Sequence, residues 1–240
     1  LPPAMPLPGG AGLLYTDDLP PTHRFGEVPV AAPAGEALAL LDRLARLVGG
    51  LPAEAPPLRP EEILFLDLET TGLSRSAGTL AFLVGLGAWT EDGAALRVEQ
   101  FLLTDLGTEA GLLAAVQQRL ARARLLVTFN GRTFDLPVLR NRAVLCRTRL
   151  SLAGPHLDLL PLCRRLFRER LENCRLPTVE AGVLGFRRVD DVSGALAPRL
   201  FTAYLAGSPL GILASILEHN RLDVAVLAAL LLRLGQHVGA

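Results

Sequence analysis

Apolar positions along the chain follow two spacings, short continuous runs and a helical repeat, and together these predict an α/β fold. Residues 63–66 form an apolar run that leads into Asp67-Leu68-Glu69, which is typical of a buried strand. Further strands are expected over 79–89, 97–103 and 125–129, with a turn at 91–93. Helical spacing appears at 36–48, at 112–120, after Asn130-Gly131 and in a closing segment at 209–234.

This order of elements predicts one mixed central β-sheet flanked by helices. Three early antiparallel strands come first, followed by alternating helix and strand. Residues 1–60 hold much of the proline and are expected to form an N-terminal extension. That extension consists of wrapping chain to about residue 34, one amphipathic helix at 36–48 and a linker at 52–60. We therefore predict two units, 1–60 and 61–240.

Composition narrows the class of protein. A chain of 240 residues, half of them apolar and a fifth charged, can build a core without cross-links. The three cysteines, an odd number without Cys-x-x-Cys spacing, favour neither a disulfide framework nor a zinc site. The longest apolar run, 224–232, is far shorter than the roughly 20 residues of a membrane span. No basic-then-apolar start is present, so we expect a cytoplasmic protein without a membrane partner.

Charge is balanced overall but unevenly distributed. All 24 basic residues are arginine. Residues 119–188 contain 15 arginines and 5 acids, whereas the rest of the chain contains 9 arginines and 19 acids. A basic face opposite an acidic site would produce this asymmetry and would suit a phosphate backbone. Solvated helix faces paired with acids elsewhere would produce it as well, and charge alone leaves both interpretations open.

Three separated segments contain acidic residues in largely apolar sequence context. Asp67 and Glu69 are two apart at the end of the first buried strand, so their side chains share one face of the sheet. Asp135 follows a strand and the Asn130-Gly131 turn, with Thr133 as the predicted cap of the next helix. His219 and Asp223 are four apart on the closing helix. Four carboxylates in apolar context are what two hard divalent cations require, and such a pair of metals can cleave a phosphodiester.

The three segments, in this order, resemble the motifs of the DEDD exonucleases, the proofreading-type branch of the ribonuclease-H-like fold. Within that superfamily the chain is most similar to the YprB-like family of bacterial nucleases. The runs that carry the resemblance are LDLETTGLSRSAGTLAFLVGLG at 66–87, FNGRTFDLPVLRNR at 129–142, HLDLLPLCRRL at 156–166 and EHNRLDV at 218–224. The resemblance covers about 61–234 and implies a ribonuclease-H-like domain.

The resemblance implies roles for the site residues. Asp67 would bridge two divalent cations, Mg²⁺ or Mn²⁺, with Glu69 and Asp223 on the nucleophile side and Asp135 on the other. His219 would be the general base, for which a pKa near neutrality is suitable. Histidine-type members usually place this residue five positions before the last aspartate and tyrosine-type members four, and here a histidine occurs with the spacing of four.

The implied activity is a 3′→5′ DNA exonuclease in DNA repair that acts on a single-stranded end, with a separate helicase as a candidate partner. Candidate substrate contacts share a position near these motifs: Thr70, Thr71, Gly72, Asn130, Phe134, Arg140 and Arg142, with Arg132, Arg147 and Arg149 as further candidates for phosphate. Alternatives are a binding module for nucleic acid or a partner on the same scaffold, an RNA exonuclease and an endonuclease.

Overall fold

The computed structural model describes residues 3–72, 78–189 and 194–239. Strands in these ranges are β1 (Ala4–Pro6), β2 (Leu13–Leu19), β3 (Arg24–Phe25), β4 (Val28–Pro29), β5 (Ile63–Thr70), β6 (Ala81–Trp89), β7 (Leu96–Leu102), β8 (Leu125–Thr128) and β9 (His156–Asp158). Helices are α1 (Gly35–Leu44), α2 (Glu109–Leu120), α3 (Asp135–Leu145), α4 (Leu159–Phe167), α5 (Leu176–Val179), α6 (Ala197–Leu205) and α7 (Ala214–Gly239). The π-helical turns Ala45–Gly49 and Glu180–Leu184 continue α1 and α5.

Seven strands form one mixed sheet in the order β1-β2-β7-β6-β5-β8-β9, which confirms the predicted architecture. Pairing is antiparallel from β1 to β5 and parallel among β5, β8 and β9. Strand β5 therefore has an antiparallel neighbour on one side and a parallel neighbour on the other. The carboxyl ends of β5, β8 and β9 lie along one edge, the location where open α/β sheets usually bind their ligands.

Helices cover both faces of the sheet because each strand alternates its apolar side chains. Phe65 of β5 packs in the cluster formed with α1, α4 and α7, whereas Leu64 and Leu66 pack in the cluster formed with α2, α3 and α6. This alternation has the period of two expected for a strand with helices on both sides. The resulting three-layer packing fixes the site-bearing end of β5 between α7 and α3.

The N-terminal sixty residues contribute strands that the sequence pattern does not predict. Strand β2 pairs with β7 along its whole length, and β1 pairs with β2 at the edge of the sheet. The short β3–β4 hairpin places the buried ring of Phe25 edge-on against Phe186, with 5.0 Å between the ring centroids. The extension thus adds to the sheet and its core, and the division at 60/61 stays a prediction.

Helix α7 crosses the sheet at unusually close range, and two glycines allow this. A Cβ on Gly85 would lie 2.4 Å from the Asn220 side chain, and one on Gly87 would lie 2.7 Å from Val224. Any larger residue at these positions would push α7 away from β6. Among the described residues no helix, α7 included, is both long enough and apolar enough to cross a membrane.

Candidate metal centre

Strand β5 presents two carboxylates to α7. Asp67 Oδ2 accepts a hydrogen bond of 2.9 Å from Asn220 Nδ2. Glu69 Oε1 lies 3.9 Å from His219 Nε2. Both acids therefore reach the same helix from one face of the sheet, which confirms the geometry predicted from their spacing.

Helix α7 supplies the facing groups. His219 and Asp223 are one helical turn apart, with 3.5 Å between His219 Nε2 and Asp223 Oδ2. Glu69, His219 and Asp223 each offer a ligand atom, and these atoms lie within 4.8 Å of one another. Two carboxylates and an imidazole at this separation could hold one divalent cation.

Asp135 is the first residue of α3 and is 5% exposed. Its carboxylate accepts a hydrogen bond from the backbone N–H of Leu68, which joins α3 to β5. Burial raises the pKa of Asp135 to about 7, and the negative charges of Asp158 and Asp223 add to this effect. Asp135 thus carries its charge at a substantial cost unless a cation is close.

The pKa of Asp67 responds to the charges of the other three acids. It is raised well above its usual value, first by burial and then by the charges of Asp223, Asp135 and Glu69. Glu69 and Asp135 are buried and Asp67 and Asp223 are half-buried, and holding four such carboxylates together is expensive unless cations neutralise them. The donor set consists of hard oxygens plus one imidazole, so these residues fit divalent metal.

Arg188 enters the same cluster, and the sequence pattern does not predict it. Its guanidinium donates to Asp223 Oδ1 and, through Nε at 2.9 Å, to Glu180 Oε2. The side chains of Arg188 and Glu180 are 5% and 1% exposed. Arg188 Nη1 also lies 3.5 Å from His219 Nδ1. Because Arg188 binds Oδ1 of Asp223, the other carboxylate oxygen, Oδ2, faces His219 and is the one available to the cluster.

Asp158 holds the loop before α3. This buried residue caps α4 through the Leu160 N–H, and its two carboxylate oxygens also accept the N–H groups of Asn130 (2.8 Å) and Arg132 (3.0 Å). Asn130 has a φ of +69°, a left-handed conformation that asparagine tolerates well. Asp158 lies within the HLDLLPLCRRL run that carries part of the family resemblance, so that run could have indicated this residue. Thr133 does not cap α3 as predicted, because its hydroxyl donates to Asn130 Oδ1 at 2.7 Å.

The candidate substrate contacts on β5 are largely engaged within their own turn. Thr70 Oγ1 donates to the carbonyl of Gly72 at 2.7 Å. The backbone N–H of Thr71 donates to the carbonyl of Leu80 at 3.0 Å, and the Thr71 hydroxyl accepts the Leu80 N–H at 3.0 Å. The N–H of Thr71 is thus already engaged within the turn and does not face a phosphate. Residues 73–77 of the first motif run, and Asp190 to Ser193 near Arg188, lie outside the described residues.

The remaining candidates separate into packed and exposed groups. Phe134 is half-buried against the α2–α3 side of the core. Arg142 forms a two-pronged ion pair with the buried Glu109, including 2.6 Å between Nε and Oε1. Arg140 is exposed and forms no ion pair with any described residue. Arg142 therefore stabilises the fold, whereas Arg140 stays a candidate phosphate contact.

A mixed sheet with this strand order, and an acidic cluster where β5 meets the last helix, define an RNase H-like protein. The sequence profile of the RNase_H superfamily matches residues 64–234, and the chain belongs to that superfamily.

The chain is also similar to individual proteins. It is 35% identical over 178 residues to the uncharacterized protein YprB of Bacillus subtilis (strain 168), an alignment that covers 73% of this chain and 42% of YprB. The family B DNA polymerase of the archaeon Pyrobaculum calidifontis shares the fold over 96% of this chain and 32% of its own, at 14% identity and a TM-score of 0.55. E. coli Exonuclease I in complex with a dT13 oligonucleotide matches 65% of this chain and 43% of its own, at 17% identity and a TM-score of 0.42. The chain thus spans less than half the length of each of these proteins.

Proposed function

We propose that the chain is a metal-dependent nuclease, a 3′→5′ DNA exonuclease with a role in DNA repair. The observation that carries the proposal is the group formed by Glu69, His219 and Asp223, whose ligand atoms lie within 4.8 Å of one another. Asp67 and Asp135 add to it, because the charges of neighbouring carboxylates raise the pKa of each. Such a cluster is costly in a purely structural role. The order of the motifs and membership of the RNase_H superfamily support hydrolysis of phosphodiesters.

The carboxylates would hold two divalent cations, Mg²⁺ or Mn²⁺. Asp67 would contact both, Glu69 and Asp223 the one on the water side, and Asp135 the other. When bound, the two cations would activate a water and stabilise the leaving oxygen. Leu68, through its N–H, keeps the Asp135 carboxylate directed at this centre.

His219 would take the proton of the attacking water at Nε2, the ring nitrogen that faces Glu69 and Asp223. The guanidinium of Arg188 has only donors, so its contact with Nδ1 requires that nitrogen to accept. The neutral ring in this arrangement carries its proton on Nε2. Uptake of a proton at Nε2 therefore requires the other tautomer, in which the resident proton lies on Nδ1, so Arg188 would first release Nδ1. Arg188 can do so while Glu180 and Asp223 still hold it.

An arginine face would bind the phosphates of the substrate. Several arginines of the 119–188 segment are neutralised, because Arg119 pairs with Glu99 and Arg124 with Glu62. The exposed arginines of the face are Arg132 and Arg140 near the α3 loop, together with Arg164, Arg165 and Arg168 around a surface depression of about 630 Å³ at the end of α4. A smaller cavity of about 180 Å³, lined by Arg132, Asp158 and Arg165, connects the two groups.

The alternatives differ in what the same site would do. A binding module would hold nucleic acid without cleaving it, and an endonuclease or RNA exonuclease would use the same carboxylates on other substrates. The experiment is incubation with 3′- and 5′-labelled single-stranded and duplex DNA and RNA, in Mg²⁺, Mn²⁺ or chelator. We expect stepwise loss of nucleotides from the 3′ end of single-stranded DNA with metal only. Binding without cleavage under every condition would overturn the nuclease.

A further inference from the structure

Behind the acidic cluster, one row of residues runs across three strands. Asp67 on β5 lies opposite Gly85 on β6, and Gly85 lies opposite Gln100 on β7. Neighbouring strands are about 4.8 Å apart, so roughly 10 Å separates the outer two members of the row. Gln100 is 4% exposed and Asn220 is fully buried above the row.

Asn220 spans this distance because the middle position is glycine. Its Oδ1 accepts a hydrogen bond of 2.9 Å from Gln100 Nε2, and its Nδ2 donates to Asp67 Oδ2 at 2.9 Å. A Cβ on Gly85 would lie 2.4 Å from Asn220 Oδ1, so any side chain there would displace the amide. One side chain of α7 therefore contacts both ends of the row.

The direction of this hydrogen-bond chain is fixed from both ends. Gln100 Nε2 also donates to the carbonyl of Leu217 at 2.7 Å, and a carbonyl can only accept. At the other end an ionised Asp67 can only accept as well. The amide of Asn220 consequently cannot turn over without losing both hydrogen bonds, each in a buried site where an unpaired group costs about 1–3 kcal/mol.

We infer that Asn220, held by Gln100 and seated on Gly85, is a positioning residue for the Asp67 carboxylate and thereby for bound metal. It acts on one oxygen of Asp67 and leaves Oδ1 for a cation. Because His219 and Asp223 flank Asn220 on α7, the same contact sets the register of that helix against β5. The inference rests on the proposed metal site and adds the residues that hold its central ligand in place.

The test is Mn²⁺ affinity, measured by the electron paramagnetic resonance signal of the free ion, which requires no activity. Loss of a partner that orients a metal ligand typically weakens metal binding about 10–100-fold. We expect this loss in Asn220→Ala and a similar one in Gln100→Leu, which keeps Asn220 but frees its amide. Leu230→Ala, a cavity variant in the fully buried part of α7 about two helical turns beyond Asp223, provides the control for lost stability.

A double-mutant cycle separates positioning from a merely structural role. If Asn220 acts through Asp67, Asn220→Ala has little further effect on the weakened Mn²⁺ affinity of Asp67→Ala. An equal loss in both backgrounds, or no loss in either Asn220→Ala or Gln100→Leu, would overturn the inference and leave the metal site standing. A wild-type chain that binds no Mn²⁺ would overturn both.

Discussion

The buried carboxyl group of Asp135 predicts how the stability of the metal-free protein changes with pH. With a folded pKa of about 7 against a usual value of 3.8, the metal-free folded chain retains a proton that the unfolded chain loses. The contribution of Asp135 to stability is therefore most favourable below about pH 4 and falls by about 1.4 kcal/mol per pH unit until the folded group ionises. The total is about 4 kcal/mol, an upper value because Asp67 titrates in the same cluster.

Asp135→Asn removes this penalty and keeps the shape of the side chain. In chelator we expect the variant to be more stable than the wild type, by about 1.5 kcal/mol at pH 5 and up to about 4 kcal/mol at pH 8. For a domain of this size 1 kcal/mol corresponds to about 2–4 °C in Tm, so the difference at pH 8 is on the order of 10 °C. Thermal unfolding from pH 5 to 8.5 measures it.

Asp42→Asn is the matched control, because the same substitution is expected to lower the free energy of unfolding at pH 8, whereas Asp135→Asn is expected to raise it. Asp42 pairs with Arg46 at 2.6 Å and accepts the Leu58 N–H, and these hydrogen bonds lower its pKa despite partial burial. Its stabilising effect is present above about pH 4, so Asp42→Asn should lower the Tm at pH 8. An Asp135→Asn variant no more stable than the wild type at pH 8, with an unchanged pH dependence, would refute the reasoning.

Three further predictions follow from other parts of the site. Arg188→Met should cost about 3–5 kcal/mol in urea unfolding, because it removes the buried guanidinium that pairs with the Glu180 carboxylate. Combining Arg188→Met with Glu180→Gln should recover much of the loss, and equal instability of the double variant would contradict the importance of this ion pair. His219→Ala should slow cleavage by about 10²–10⁴-fold without a comparable loss of Mn²⁺ affinity, and an unchanged rate per folded molecule would exclude His219 as the base. The logarithm of the affinity for single-stranded DNA should fall by about 0.7 per logarithmic unit of salt for each phosphate neutralised. Charge reversal of Arg140 and Arg165 should reduce that slope, whereas reversal of the ion-paired Arg119 should leave the number of phosphate contacts unchanged. Equal slopes in the wild type and the double reversal would exclude Arg140 and Arg165 from the phosphate-binding face.

The acidic ligands were predictable because each depends on local periodicity. Asp67 and Glu69 share a face because strands repeat every two residues, and His219 and Asp223 share one because helices repeat every 3.6. The common edge of β5 and β8 then follows from parallel pairing, which places Asp135 near the first two. Only the last of these steps depends on a contact between distant segments, the pairing of β5 with β8.

The supporting residues were not predictable in the same way, because they depend on contacts between distant segments. A count of arginines cannot distinguish the exposed Arg140 from Arg142, which pairs with Glu109 thirty-three residues away. Asn220 stood within a quoted motif, but its partner Gln100 lies 120 residues earlier in the chain. Strand β2 escaped prediction because its half-exposed Thr16-Asp17-Asp18 segment lacks a continuous apolar run.

The central claim is that the cluster around Asp67 hydrolyses phosphodiesters, and one measurement tests it most directly. The release of nucleotides from a 3′-labelled single strand is followed in Mn²⁺ for the wild type, Asp67→Asn and Asp92→Asn, with folding of each checked by its Tm. Asp92 lies in the exposed turn after β6, so its variant controls for the loss of one carboxylate. The account predicts cleavage by the wild type and Asp92→Asn and none by a folded Asp67→Asn. Cleavage at the wild-type rate by Asp67→Asn would contradict it.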